Sequence, residues 1–196
     1  FITPENDNKY KPKKYYYTDA ISDNAVTFLQ EHMKESPNKP LFLYVSYTTA
    51  HWPMHALPED IARYKGVYDG GFQRVRGERF KRLKELGLIR EDLKLSPQSD
   101  DWEKIPNKEW DIRNMEVYAA MIDNMDRGIS RIVEEFERQG TLNNTLIMYL
   151  QDNGACAEGF GRYSQKPYNR KYKPLGRDGF QTKIWPPMQT RDGRPV

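Results

Sequence analysis

The clearest pattern in the chain runs from Met115 to Phe136, where Met115, Tyr118, Ile122, Met125, Ile129, Ile132, Val133 and Phe136 recur at steps of three and four. That spacing lines one stripe of a helix and predicts one from about Asn107 to Arg138, stopped by Gly140. A stripe this long needs a broad surface to pack on, and a sheet is the natural partner. A second, shorter pattern of Ile21, Ala25, Phe28 and Leu29 predicts a helix capped by Thr18 and ending near Ser36-Pro37. Leu57 to Tyr64, with Pro58 early in it, predicts a short helix. Phe72 to Leu88 predicts a very basic amphipathic helix ended by Gly87.

Two apolar runs have a different character. Leu41-Phe-Leu-Tyr-Val-Ser-Tyr47 and Thr145-Leu-Ile-Met-Tyr-Leu-Gln151 are continuous rather than periodic and have strand length, which suits strands buried on both faces. The first follows Lys39-Pro40, and the second follows a turn at Thr141-Leu-Asn-Asn144. Helix, strand, loop with insertion, long helix, strand is the alternation of an α/β fold. The expectation is therefore part of a mainly parallel sheet flanked by helices, incomplete at both ends. Residues 1–17 have no period and read as an extended arm, 18–159 as the α/β core portion, and 160–196 as a long irregular segment.

Composition refines this picture. The 196 residues suit one domain, but with 37% hydrophobic and 30% charged residues a single core must carry long peripheral segments. The net charge of +3 hides an asymmetry: Gly161 to Val196 holds nine Lys/Arg against two Asp, a net +7, which leaves −4 for the rest. Such a tail can meet a polyanion, whether nucleic acid, sulfated glycan or anionic membrane, or simply be a solvated loop with mixed partners. One cysteine, Cys156, makes no internal disulfide, and no Cys/His cluster has zinc spacing. No apolar run reaches spanning length and no charged-then-apolar leader opens the chain, so neither a membrane span nor a signal peptide is expected. A start at Phe1 without methionine suits a processed protein or an excised piece.

In open parallel sheets, ligands gather outside the carboxyl ends of the strands. His51 follows the first run and Asp152-Asn153 end the second, so parallel strands would bring these three to one rim. Asp and Asn offer hard oxygen ligands for Ca²⁺ or Mg²⁺, but such an ion takes about six oxygens, and two residues do not complete a site. Asp-Asn-Gly is equally a turn signal. His51, beside Trp52-Pro53, equally suits a packed loop, His55 is the weaker candidate, and Asp100-Asp101 reads as a solvated acidic turn. Cys156 has no close Lys or His to lower its pKa, and Glu158 would raise it, which argues against a catalytic thiol.

Three stretches in order, Tyr44-Val-Ser-Tyr-Thr-Thr-Ala-His-Trp-Pro53, Tyr118-Ala-Ala-Met-Ile-Asp-Asn-Met-Asp-Arg127 and Leu150-Gln-Asp-Asn-Gly-Ala-Cys-Ala-Glu158, resemble the middle of a sulfatase of the alkaline-phosphatase-like superfamily. The likeness is nearest to bacterial arylsulfatase-type enzymes, which share His51-Trp-Pro-Met-His55 and Thr190-Arg-Asp-Gly193, and it covers most of residues 15–196. It implies the central part of a single sulfatase catalytic domain that cleaves sulfate monoesters. By that resemblance Asp152 and Asn153 are ligands of a catalytic Ca²⁺, with Mg²⁺ the poorer fit, and His51 contacts the sulfate ester or the leaving group. The implied substrate is an aryl sulfate or sulfated sugar, the implied partner is the remainder of the same polypeptide rather than nucleic acid, and the implied location is periplasmic or secreted.

The departures are as informative. The family's nucleophile is a formylglycine made from Cys or Ser in a Cys/Ser-x-Pro-x-Arg motif. Cys156 is followed by Ala-Glu-Gly, no serine fits, and the paired aspartates that supply further metal ligands have no counterpart. The segment alone is expected to be inactive. Histidine and Asp-Asn do not separate sulfate from phosphate esters, so a phosphodiesterase or phosphonate hydrolase of the same superfamily remains an alternative. So does a non-catalytic module that binds sulfated polysaccharide through the tail.

Overall fold

The structure, a computed structural model, describes residues 10–51, 54–98 and 101–154. Residues 1–9, Trp52-Pro53, Asp100, Cys156, Glu158 and the basic tail lie outside them. The chain divides into two compact units, Phe1–Trp52 with Ala120–Ala155, and Pro53–Ala119 with Cys156–Val196.

The expected α/β sheet is not found: the described residues are organised by helices and contain no strand. The physical reason lies in the pairing a strand requires, because its N–H and C=O groups bond only across to a neighbour. Residues 41–47 and 145–151 do not pair as strands with each other or with any other described segment. Phe42 is 89% exposed and Leu146 83%, the opposite of strands covered on both faces.

The first unit is built on helix α1, Tyr17–Glu35, and the part of the long helix that starts at Ala120. Thr18 does not cap α1. Tyr16 holds the N-cap position in an extended conformation, and the Thr18 hydroxyl bonds Thr49 Oγ1 at 2.9 Å instead. The buried face is also rotated from the expected one. Thr18, Ser22, Ala25 and Leu29 are buried together with Ala20, while Phe28 is exposed. Small residues win that face because another helix comes close. Asn124 Nδ2 donates to Asp19 Oδ1 at 3.1 Å, Arg131 pairs with Asp23, and Gln30 Nε2 donates to Glu135 Oε2 at 3.2 Å. These pairs keep a nearly constant sequence separation of 105 to 108, so the two helices run side by side in the same direction.

At the closest point Gly128 faces Ser22. A Cβ added there would fall on Ser22 Oγ, 3.0 Å from Ser22 Cβ and 3.2 Å from the Tyr47 hydroxyl. Ser22 Oγ donates to the Thr18 carbonyl at 3.1 Å and lies 2.8 Å from Tyr47 Oη, so the tyrosine hydroxyl is the donor to Ser22. Burial raises the Tyr47 pKa and keeps it protonated. Residues 41–48 alternate half-buried Leu41, Leu43, Val45 and Tyr47 with exposed Phe42, Tyr44, Ser46 and Thr48. That period of two is what an extended segment gives when only one of its faces is covered.

The second unit holds helices α2, Pro58–Ala62, and α3, Phe72–Glu85, with the start of α4, Lys108–Arg138. Pro58 begins α2, where a missing N–H costs nothing. Gly71, at φ 83°, leaves no room for a Cβ, which would lie 2.8 Å from Trp102 Cγ. Over it, Tyr68, Phe72 and Trp102 form a ring cluster, with centroids 6.2 and 5.1 Å apart. Burial pushes the Tyr68 pKa up. Asp101 is exposed, and its Oδ1 accepts from Glu103 N at 3.1 Å to start a 3₁₀ turn at Trp102–Lys104, in keeping with a solvated acidic turn.

Both helix stops read from glycine are present. After α3, Gly87 N donates to Lys84 O at 2.8 Å and Leu88 N to Leu83 O at 3.0 Å. After α4, Gly140 N donates to Glu137 O at 2.8 Å and Thr141 N to Phe136 O at 3.0 Å. These are paired closing bonds around a left-handed residue, φ 66° and 70°, and they satisfy carbonyls the helix leaves open. Among the described residues no helix is long and apolar enough to cross a membrane.

Candidate functional site

The turn that carries His51 is fixed from the first turn of α1. Thr49 Oγ1 bonds Thr18 Oγ1 at 2.9 Å, and His51 N donates to Thr48 O at 3.2 Å, which closes the turn and leaves the imidazole exposed. Nothing in the sequence points to the Thr18–Thr49 pair, since 31 residues separate the two hydroxyls.

Asp152 and Asn153 follow residues 145–150 and are both exposed. Asn153 Nδ2 donates to Gly154 O at 2.7 Å, a bond that does not engage its amide oxygen. By residue type the pair, adjacent in sequence, carries a carboxylate and a carboxamide oxygen, hard donors of the kind Ca²⁺ or Mg²⁺ takes. It does not fill the shell of such an ion. No group of three or more His, Cys, Asp or Glu among the described residues can hold a metal ion. His51, Asp152 and Asn153 all belong to the first unit, while His55 belongs to the second. His55 is exposed as a residue, yet the partial desolvation of its ring lowers its pKa and favours the neutral form.

Sequence reasoning missed the polar seam between α1 and α4. Tyr10 Oη donates to Asp23 Oδ2 at 2.6 Å, and burial together with that carboxylate raises the Tyr10 pKa. Arg131 joins Asp23 and also reaches Asp19 at 3.9 Å. Glu135, buried at the far end, accepts from Arg138 Nε at 2.9 Å and Nη2 at 2.5 Å, from Gln139 at 2.6 Å and from Gln30 at 3.2 Å. The Arg138 bonds hold its pKa below the usual carboxylate value, against the cost of burial. One signal existed: Asp19 and Asp23 stand one helical turn apart, as do Asn124 and Arg131 at two turns.

The sulfatase-family profile matches residues 1–191. The chain belongs to the sulfatase family. This sulfatase chain is 33% identical over 188 residues to an arylsulfatase of Klebsiella aerogenes, covering 91% of the chain and 40% of that relative. It is 32% identical over 149 residues to an uncharacterized sulfatase of Schizosaccharomyces pombe, covering 73% of the chain and 26% of the relative. It is 22% identical over 170 residues to an extracellular sulfatase homolog of Drosophila melanogaster, covering 79% and 13%. The sulfatase chain therefore spans well under half the length of these curated relatives.

Proposed function

We propose that this chain supplies part of the active site of a sulfuric ester hydrolase, with His51, Asp152 and Asn153 as its share. The observation that carries the reading is the sulfatase-family match, which spans all three residues. Asp152 and Asn153 would hold a divalent cation, Ca²⁺ before Mg²⁺, as two of its oxygen ligands, and further ligands must come from elsewhere in the protein. Such an ion, when bound, supplies positive charge where the sulfuryl group gathers negative charge. His51, exposed on its anchored turn, donates a hydrogen bond to the ester oxygen or to the departing group.

These 196 residues contain no Cys/Ser-x-Pro-x-Arg motif, so a formylglycine nucleophile would be supplied by sequence outside them. They would accordingly act as the central part of a larger catalytic domain and be inactive alone. The substrate is a sulfate monoester, an aryl sulfate or a sulfated sugar. The relative named as extracellular supports a secreted or periplasmic location.

The test is turnover of an aryl sulfate by the full-length protein, run beside an aryl phosphodiester and with calcium binding measured separately. Asp152→Ala should remove calcium binding and lower turnover by about 100-fold or more, and His51→Ala should lower turnover by a similar factor without touching calcium binding. Unchanged aryl sulfate turnover in the Asp152 variant would sink the metal assignment. Preference for the phosphodiester would replace sulfate by phosphate chemistry.

A further inference from the structure

Helix α3 has no fully buried side chain, and it carries six cations, Arg74, Arg76, Arg79, Lys81, Arg82 and Lys84, against the carboxylates Glu78 and Glu85. Four of the six cations stand within Arg79-Phe-Lys-Arg-Leu-Lys84, with no carboxylate among them. The helix is two-faced. Phe72, Val75, Phe80 and Leu83 are half-buried within the second unit, whereas Arg74, Arg79, Lys81 and Arg82 are exposed. Internal pairing leaves a surplus on that exposed face. Glu78 is taken by Arg74 at 2.8 Å, and Glu85 is shared by Arg82 at 3.4 Å and Lys81 at 3.8 Å. Glu85 balances one of its two partners at most, and Arg79 has no ion pair among the described residues.

We propose that this face of α3 binds a sulfated polysaccharide. The charge complementarity is direct: closely set guanidinium and ammonium groups meet repeated sulfates, and binding releases the counterions condensed on the polymer. The apolar residues of the helix, Phe72, Val75, Phe80 and Leu83, are half-buried within their own unit, so its exposed face is the charged one rather than an apolar one suited to a lipid surface. The choice of sulfate over other polyanions rests on the hydrolase reading above. It narrows that reading from sulfate esters in general to polymeric, multiply sulfated saccharides.

The experiment titrates the full-length protein with fluorescent dextran sulfate at several salt concentrations, with uncharged dextran, duplex DNA and phosphatidylserine vesicles as parallel probes. Lys81→Gln/Arg82→Gln removes two exposed charges while keeping residues of similar helix propensity. It should weaken dextran sulfate binding about tenfold, or about 1.4 kcal/mol, and flatten the salt dependence. The charge-keeping swap Lys81→Arg/Arg82→Lys should bind as the parent does. Aryl sulfate turnover should be the same in all three proteins, because α3 holds none of the residues assigned to the reaction. Equal affinity of parent and Gln variant, or equally tight binding of DNA or vesicles, overturns the proposal. Absence of aryl sulfate turnover in the parent, with α3-dependent dextran sulfate binding intact, strikes the hydrolase reading alone.

Discussion

Replacing Gly128 by alanine sets two physical effects against each other, and the sign of the result separates them. In an exposed helix interior, Gly→Ala stabilises by about 1 kcal/mol through backbone entropy. Gly128 lies in the middle of α4, so propensity alone predicts a gain. Packing predicts the reverse. The new Cβ would overlap Ser22 Oγ and stand 3.0 Å from Ser22 Cβ. Ser22 can rotate its hydroxyl away, but that gives up the bonds to Thr18 O and to Tyr47, worth about 1 kcal/mol each. Its Cβ cannot rotate away, so α1 and α4 must separate, and overpacking of this kind costs about 1–3 kcal/mol. With the two lost bonds added to the overpacking and the propensity gain subtracted, the net loss should be about 2–4 kcal/mol. Urea unfolding of the full-length protein, followed by helical circular dichroism and compared at constant m, measures it. Ser22→Ala in the same protein should recover about 1 kcal/mol of the Gly128→Ala loss, since the two sites share one contact. A Gly128→Ala protein more stable than its parent would refute the close approach.

Glu135 should give stability an acid limb. Its pKa is held below the ordinary 4.5 in the folded state, chiefly by Arg138, so its contribution is complete above about pH 4.5 and is lost as pH falls through the lower folded value. Melting temperatures between pH 3 and 7 should fall on the acid side, and Glu135→Gln should be less stable at pH 7 with a shallower acid slope. A parallel slope in the variant would mean that other carboxylates set the limb. Gly140→Ala should lose about 1–2 kcal/mol although nothing lies within 4 Å of the added Cβ, because φ 70° penalises any side chain. The same urea titration checks it, and a neutral outcome would show that the cap tolerates another geometry.

The helices, and their ends apart from the cap of α1, were legible in the chain because a helix closes its hydrogen bonds within a few residues. Every determinant is local: the three-four stripe of α4, Pro58 opening α2, and Gly87 and Gly140 with their paired closing bonds. What sits against a helix is not local. The stripe on α4 suggested a sheet, but in the first unit Gly128, Asn124, Arg131 and Glu135 meet the small and acidic side of α1. Residues 105 or more apart set that contact, and no periodicity within either helix reports it. The apolar runs at 41–47 and 145–150 mark the same boundary. Their composition is right for strands, yet a strand exists only through a partner, and pairing is a tertiary fact.

The candidate site divides in the same way. His51, Asp152 and Asn153 were nameable from residue type and order, because a hard-donor pair and a histidine carry their chemistry with them. Only the tertiary structure decided that the His51 turn is anchored through Thr49 to Thr18, 31 residues away. The sequence by itself determined which atoms are available and which segments coil. The folded chain decided which of them face one another, because that depends on contacts between residues far apart along it.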